Sequence, residues 1–352
     1  MKKKVIVGMS GGVDSSVAAY LLQEQGYDVI GVTMRMWQEG EDASCAGPGV
    51  AEDAERVARA LHIPFNVIDC QREFGCHVID NFVEEYLQGR TPNPCIVCNR
   101  HVKWEGLLRY GLSVGADYIA TGHYARVAML PGGRRAVRRG VSGAKDQSYA
   151  LYGLTQEQLS HTLLPVGEYE KSHIRAIAQE IHIPVADKPD SQEICFVPDD
   201  DYAAFIDRRV RDRVPGPGNF VNEKGDVLGR HKGITHYTLG QRRGLELAMG
   251  ERIYVTQIRP DTNEVIVGKE EALMTGSVVC HKVNYMAVED LPQPLRVFAK
   301  IRYNHKGGWC VIEKLPDGSV RALFEEPVRA ATPGQSICFY QGEYVLGGGI
   351  IR

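Results

Sequence analysis

No apolar run in this 352-residue chain approaches the roughly 18 residues needed to cross a bilayer, so no membrane association is expected. The opening MKKKVIVGMS starts positive but reaches Gly8, Ser10, Gly11 and Asp14 before a long apolar core develops, which suits a first strand better than a secretory leader. An even set of cysteines is also missing. Nine thiols lie scattered at 45, 70, 76, 95, 98, 195, 280, 310 and 338, which argues against a secreted disulfide framework and for a reducing, cytoplasmic setting. Repeats and low-complexity tracts are lacking. What is present is 43% hydrophobic residues, enough to fill the two or three cores that a chain of this length requires.

Net charge is only −3, which argues weakly against indiscriminate binding to polyanions, but the average conceals two basic stretches. Between Arg126 and Asp146 six cations (Arg126, Arg134, Arg135, Arg138, Arg139, Lys145) meet one acid, and between Arg208 and Arg243 nine cations meet three acids. Such patches can hold a phosphate backbone or be plain solvated faces.

Strand-like and helical segments alternate from KKVIVGM through DSSVAAYLLQEQGY, DVIGVTM, GVAEDAERVARALHI, PFNVIDC, the amphipathic stretch 73–87, the helix candidate 103–113 and ADYIATGHY. This pattern predicts an α/β domain with a doubly wound, mostly parallel sheet covered on both faces, spanning residues 1–205 with further helices in YEKSHIRAIAQEIHI and PDDDYAAFIDRRV. Glycine-rich turns then mark a small, positively charged central domain over 206–273. Short β-branched and aromatic segments from 274 to 352, separated by Asn, Asp, Gly and Pro, predict an antiparallel β-barrel or sandwich.

Between the first strand and first helix lies SGGVDSS, residues 10–16. Gly11 and Gly12 allow close backbone approach, while Ser10, Ser15, Ser16 and the first helical N–H groups offer donors to an anion. The lysine of G-x-x-x-x-G-K-[ST] and the spacing of G-x-G-x-x-G are both absent. Asp14 adds a carboxylate suited to Mg²⁺ beside a pyrophosphate; the plainer reading is a glycine turn with Ser and Asp capping a helix. A second motif, TPNPCIVCNR, places Cys95 and Cys98 three positions apart, which alone suits a metal knuckle, a redox pair, a catalytic thiol or a tight turn.

SGGVDSS resembles the pyrophosphatase loop of the N-type ATP pyrophosphatases, which cleave ATP between its α- and β-phosphates to adenylate a carbonyl oxygen. Together with GRTPNPCIVCN, ATGHYAR, AKDQSYAL and KPDSQEICF, the whole chain resembles the tRNA-specific 2-thiouridylase family, whose members convert C2=O of the wobble uridine, U34, to C2=S. The resemblance implies a fold of the ATP pyrophosphatase type and ATP held at Gly8, Met9, Ser10, Gly11, Gly12, Val13, Asp14 and Ser15, at Met34 and at Gly122. Read by itself, Met34 is equally a core residue and His123 is ambiguous. The same resemblance makes Cys98 the nucleophilic thiol and Cys195 the persulfide carrier, with a disulfide between them after sulfur release. It implies tRNA substrates with U34 (Lys, Glu and Gln acceptors) and a persulfide donor such as a cysteine desulfurase or a relay protein.

In the family form of the motif an aspartate stands where this chain has Cys95, and reference pKa values of roughly 4 and 8.5 separate the two groups. Cys95, Cys98 and Cys195 are then three soft ligands that could bind a [4Fe-4S] cluster with one open iron, or zinc with His101 or water as a fourth ligand. For the tRNA the resemblance implies Asn93, Pro94 and Cys95 beside the target base, His123 nearby, Lys145, Asp146 and Gln147 on the anticodon arm, and Arg302, Tyr303 and Gln335 in the last domain. Each has a bland alternative as a charged turn or half-exposed strand. An amide-forming ATP pyrophosphatase would explain the loop without the separated thiols, and a non-enzymatic RNA-binding or sulfur-carrier module would leave the loop without a task.

Overall fold

The computed structural model describes residues 2–37, 48–189, 194–197 and 201–352; Cys45 and residues 191–193, just before the Cys195 segment, lie outside the described residues. In chain order the first domain holds β1 (Lys4–Gly8), α1 (Val13–Glu24), β2 (Asp28–Arg35), α2 (Pro48–Ala60), β3 (Phe65–Asp69), α3 (Gln71–Phe74), α4 (Asp80–Leu87), α5 (Pro94–Cys98) and α6 (Trp104–Ser113). It continues with β4 (Tyr118–Thr121), the hairpin β5 (Ala125–Met129) and β6 (Arg135–Arg139), then α7 (Gln156–Ser160), β7 (Thr162–Leu163), α8 (Lys171–Glu180) and α9 (Tyr202–Arg209).

The run KVIVG forms the centre of a five-stranded parallel sheet in the order β3-β2-β1-β4-β7. Its alternation decides the layering. Val5 and Val7 enter a core shared with α1, α2 and α8, while Ile6 enters the one built from α3 to α6, so both sheet faces are buried as a parallel sheet requires. Strand order reverses at β1, between β2 on one side and β4 on the other, which opens a crevice at the carboxyl ends of β1 and β4. Gly8 and Thr121 are register partners at that edge.

Two π-helical turns interrupt the helices on one face, Gly75–Ile79 between α3 and α4 and Asn99–Lys103 between α5 and α6. Such turns occur frequently at functional sites. The rings of His77 and His101, one from each turn, stack with centroids 5.4 Å apart.

The central segment contributes β8 (Gly218–Val221), β9 (Val227–His231), β10 (Tyr254–Arg259) and β11 (Glu264–Gly268), a sheet ordered β10-β11-β8-β9 around Phe220, Val255 and Val265. The last segment contributes β12 (Met274–Tyr285), β13 (Leu295–Lys300), β14 (Gly308–Lys314), β15 (Val320–Arg329), β16 (Ser336–Gln341) and β17 (Tyr344–Ile351). Pairing of β12 with β17 closes these six strands into an antiparallel barrel.

The β5–β6 hairpin, though part of the first domain, joins the barrel's sheet through β6 against β17. The first basic stretch is therefore largely a clamp between domains. Arg134 donates to the carbonyl oxygens of Tyr285 and Met286, each at 3.1 Å. Arg138 donates to Glu343 at 2.7 Å, and the Arg139 guanidinium lies 4.3 Å from the Tyr340 ring centroid. Four of its arginines serve packing, because Arg126 also donates to the Arg139 carbonyl oxygen at 2.7 Å.

Candidate active site

Gly8 ends β1 and the chain turns through Met9, Ser10, Gly11 and Gly12 into α1. Gly11 takes φ +62°, and a Cβ there would lie 2.7 Å from the Val50 carbonyl oxygen, so only glycine is unstrained. Ser15 Oγ accepts from the Ser10 N–H at 3.1 Å and Ser16 Oγ donates to the Gly12 carbonyl oxygen at 2.8 Å. The N-cap, Gly12, supplies no side chain to the first turn. The N–H groups of Val13 and Asp14 therefore face an uncapped helix start at the crevice, the arrangement that receives a phosphate. Across it, Gly122 follows β4 so closely that a Cβ would lie 2.6 Å from Ser15 N. Met34 is a core side chain on β2, 7% exposed.

Asp14 is engaged from two sides. The Tyr124 hydroxyl donates to it at 2.6 Å, and the Lys171 ammonium donates to both oxygens at 2.7 and 2.9 Å. A second lysine, Lys188, donates to the Gly11 carbonyl oxygen at 3.2 Å and to Asp53 at 2.7 Å. Asp14 offers the hard oxygen donors that suit Mg²⁺, and in this structure both oxygens accept from Lys171.

The start of TPNPCIVCN is a helix start. Asn93 caps α5, with its Oδ1 accepting from the Ile96 N–H at 3.4 Å, and Pro94 takes the first helical position, where a missing N–H is harmless. Cys95 is exposed and Cys98 is buried on the same short helix. Cys98 donates to Met36 Sδ at 3.9 Å, just beyond the carboxyl end of β2. The thiol and the glycine loop thus occupy the same edge of the sheet. Burial pushes the Cys98 thiol up to about 11, against the lowering influence of Lys103. Burial likewise raises half-buried Cys195 to about 11. Both thiols are free and pack into or against one core.

Among the described residues no three His, Cys, Asp or Glu side chains gather to hold a metal. Cys95 is turned outward on the first turn of α5 while Cys98 is directed into the core.

Several residues expected at the tRNA are used inside the molecule. Gln335 Nε2 donates to the carbonyl oxygens of Thr91 and Pro92, and the Thr91 N–H donates to the Pro333 carbonyl oxygen at 2.8 Å; the barrel thereby grips the loop that leads into α5. Asp146 accepts from Gly140 N, Ser148 N and Ser148 Oγ. Gln147 Oε1 accepts from the Tyr124 N–H at 2.9 Å. Arg302 donates to the Arg329 and Ala330 carbonyl oxygens, whereas Tyr303 is 38% exposed. His123 shares a 2.8 Å hydrogen bond with Thr121 Oγ1 and packs on Trp104. Burial, with Lys103 second, pushes it down to about 3.

Sequence reasoning missed Lys103, Tyr124, Lys171 and Lys188. No local pattern flags them, since Tyr124 and Lys171 reach Asp14 from 110 and 157 positions away. Two of them did lie in quoted motifs, Lys188 at the start of KPDSQEICF and Tyr124 inside ATGHYAR.

A glycine loop at the switch point of a parallel sheet, beside lysines and a buried thiol on the same edge, defines an ATP pyrophosphatase-type domain, here joined to two β domains. Comparison with family models agrees: residues 3–199 match a tRNA methyl transferase HUP domain, 203–269 a tRNA methyl transferase PRC-barrel domain and 275–351 an aminomethyltransferase beta-barrel domain. Among curated relatives, the tRNA-specific 2-thiouridylase MnmA of Lachnoclostridium phytofermentans is 56% identical over 99% of both chains. That of Clostridioides difficile is 48% identical over 100% of this chain and 99% of its own. The chain belongs to the tRNA-specific 2-thiouridylase family. A solved U34-tRNA thiolase, NcsA from Methanococcus maripaludis, which carries a [4Fe-4S] cluster, is 17% identical with a TM-score of 0.36, covering 61% of this chain and 67% of that one; so slight a likeness says nothing about the site.

Proposed function

We propose that the protein is a cytoplasmic tRNA-uridine 2-sulfurtransferase that uses ATP to convert uridine 34 to 2-thiouridine, with release of AMP and pyrophosphate. The observation that carries this reading is the shared sheet edge, where the anion-ready start of α1 and the thiol of Cys98 stand one strand apart. The substrates are tRNAs bearing U34, those for Lys, Glu and Gln by family membership. Sulfur arrives as a persulfide on Cys195 from a cysteine desulfurase or a relay protein. The free thiols support a reducing compartment, and among the described residues no helix is long and apolar enough to cross a membrane.

A uridine C2 oxygen is a poor leaving group until it carries AMP. Residues 8–15 and Gly122 hold the ATP phosphates, and Asp14 is the carboxylate that would hold Mg²⁺, which would supply neutralisation of phosphate charge. The C2 oxygen attacks the α-phosphorus and pyrophosphate leaves. In the second half, Cys98 as thiolate attacks the Sγ of the Cys195 persulfide, a Cys98–Cys195 disulfide forms, and hydrosulfide leaves with the electron pair of the broken S–S bond. That sulfur adds to C2, and AMP departs with the former C2 oxygen. A two-electron thiol reductant restores the pair. The alternative order, in which the persulfide attacks C2 before Cys98 resolves the adduct, uses the same two thiols.

Lys103 is the cation placed to favour the Cys98 thiolate. The direct test is incubation with U34-containing tRNA, ATP, Mg²⁺ and a persulfide donor. The expected products are 2-thiouridine in digested tRNA and pyrophosphate formed only when tRNA is present; pyrophosphate without RNA dependence, or unmodified tRNA, contradicts the reading.

A further inference from the structure

The carboxylate beside the glycine loop is not waiting empty for a metal. One ammonium, Lys171 Nζ, spans both oxygens of Asp14, and the pair is largely withdrawn from solvent, with side chains 14% and 29% exposed. Tyr124 braces it from below: its hydroxyl donates to the same Asp14 oxygen that is nearest the ammonium, and its ring centroid lies 5.5 Å from Lys171 Nζ.

The position of the lysine is informative. Lys171 is the first residue of α8, and the N-cap, Glu170, supplies no side-chain cap. A cation at a helix N-terminus opposes the macrodipole, so helix stability does not call for lysine here. Asp14 stands in the first turn of α1, the very turn whose N–H groups are offered to a phosphate. A negative nucleotide arriving there meets Asp14, and two negative groups in one crevice need a cation between them.

We propose that Lys171 is a phosphate-contacting residue held in reserve by Asp14, and that entry of the magnesium nucleotide exchanges partners: Asp14 turns to Mg²⁺ and Lys171 to phosphate oxygens. The inference rests on the reading that ATP binds at the glycine loop. It assigns the lysine two duties, cancelling the Asp14 charge in the unloaded enzyme and gripping phosphate in the loaded one. It also explains why a loop lacking the usual P-loop lysine can still hold a triphosphate: the lysine comes from another helix.

The test is calorimetric titration of the full chain with an ATP analogue whose α,β-bridging oxygen is replaced by methylene, in EDTA and again in Mg²⁺. Lys171→Met is expected to weaken binding in EDTA at least tenfold, because Asp14 then faces the phosphates uncompensated, while Lys171→Arg stays within about threefold of wild type. Asp14→Asn is expected to do the opposite, strengthening binding in EDTA and abolishing the gain from Mg²⁺. Thermal melting without ligand checks that each variant is folded, and Asp14→Asn alone decides the matter if Lys171→Met is not. The inference is overturned if a folded Lys171→Met binds in EDTA within twofold of wild type, or if Asp14→Asn keeps the full Mg²⁺ gain. Failure of the wild type to bind the analogue under either condition overturns instead the reading beneath it.

Discussion

Gln335 on the last domain donates to the carbonyl oxygen of Thr91, at 3.0 Å, in the loop that delivers Cys95 and Cys98. The adjoining Gly334, at φ +89°, leaves no room for a side chain, since a Cβ would lie 3.0 Å from Thr91 N. The barrel therefore holds in place the loop that carries Cys95 and Cys98.

Gln335→Ala removes this hold. The expected result is a loss of about 1 kcal/mol in stability per hydrogen bond, a several-fold fall in turnover, and little change in tRNA affinity. Turnover and tRNA binding measured side by side check it: a large fall in affinity with unchanged turnover would return Gln335 to the role of a tRNA contact.

The basic stretches separate into two kinds. Arg134 has its charge committed to backbone carbonyls of the barrel, and Arg213 is committed to Glu84, whereas Arg242 and Arg243 are exposed on the central domain. Arg134→Ala is expected to destabilise the fold by roughly 1.5 to 3 kcal/mol and to leave the salt dependence of tRNA binding unchanged. Neutralising Arg242 and Arg243 together should reduce the slope of log K against log salt by about 2. Melting curves and binding across a salt series distinguish them.

Burial raises the Cys98 thiol from 9.0 to about 11. Thiolate is the reactive form and its fraction grows with pH below the pKa, so alkylation of Cys98 should rise about tenfold per pH unit between pH 7 and 10. At neutral pH it should run about a hundredfold below an ordinary exposed thiol. Lys103 lowers the thiol's pKa, so Lys103→Met should move the profile to higher pH while Lys103→Arg keeps it. Iodoacetamide labelling followed by peptide mass spectrometry reads both.

Gly122 admits no Cβ without displacing the start of α1. Gly122→Ala should therefore destabilise the fold by about 1–3 kcal/mol and weaken nucleotide binding more than Met34→Leu does, since Met34 is core packing. Titration of both variants with the ATP analogue checks the order.

Much of this was legible in the residues. The apolar run in KKVIVGM and the strand–helix alternation that follows announced a parallel sheet, because run length and turn chemistry are local properties. The helix start at Asn93 and Pro94 was not read from the sequence, although both residues fit the cap rules once α5 is seen. The β5–β6 hairpin was not legible: its arginines look like a nucleic-acid surface until β17, about 200 residues later, pairs with β6. The partners of Asp14 were hidden for the same reason. Tertiary contacts between distant segments decide whether a charge is spent inside the molecule or presented to a ligand.

The central claim is that activation at the glycine loop and sulfur delivery at the thiols are separate acts. Cys98→Ser and Cys195→Ser should each release pyrophosphate from ATP in the presence of tRNA while forming no 2-thiouridine, and Asp14→Ala should lose both. Measuring tRNA-dependent pyrophosphate and 2-thiouridine in the same reactions is the decisive experiment. Retention of the first with loss of the second in both cysteine variants is the result predicted; 2-thiouridine at wild-type yield from either folded cysteine variant would contradict the account.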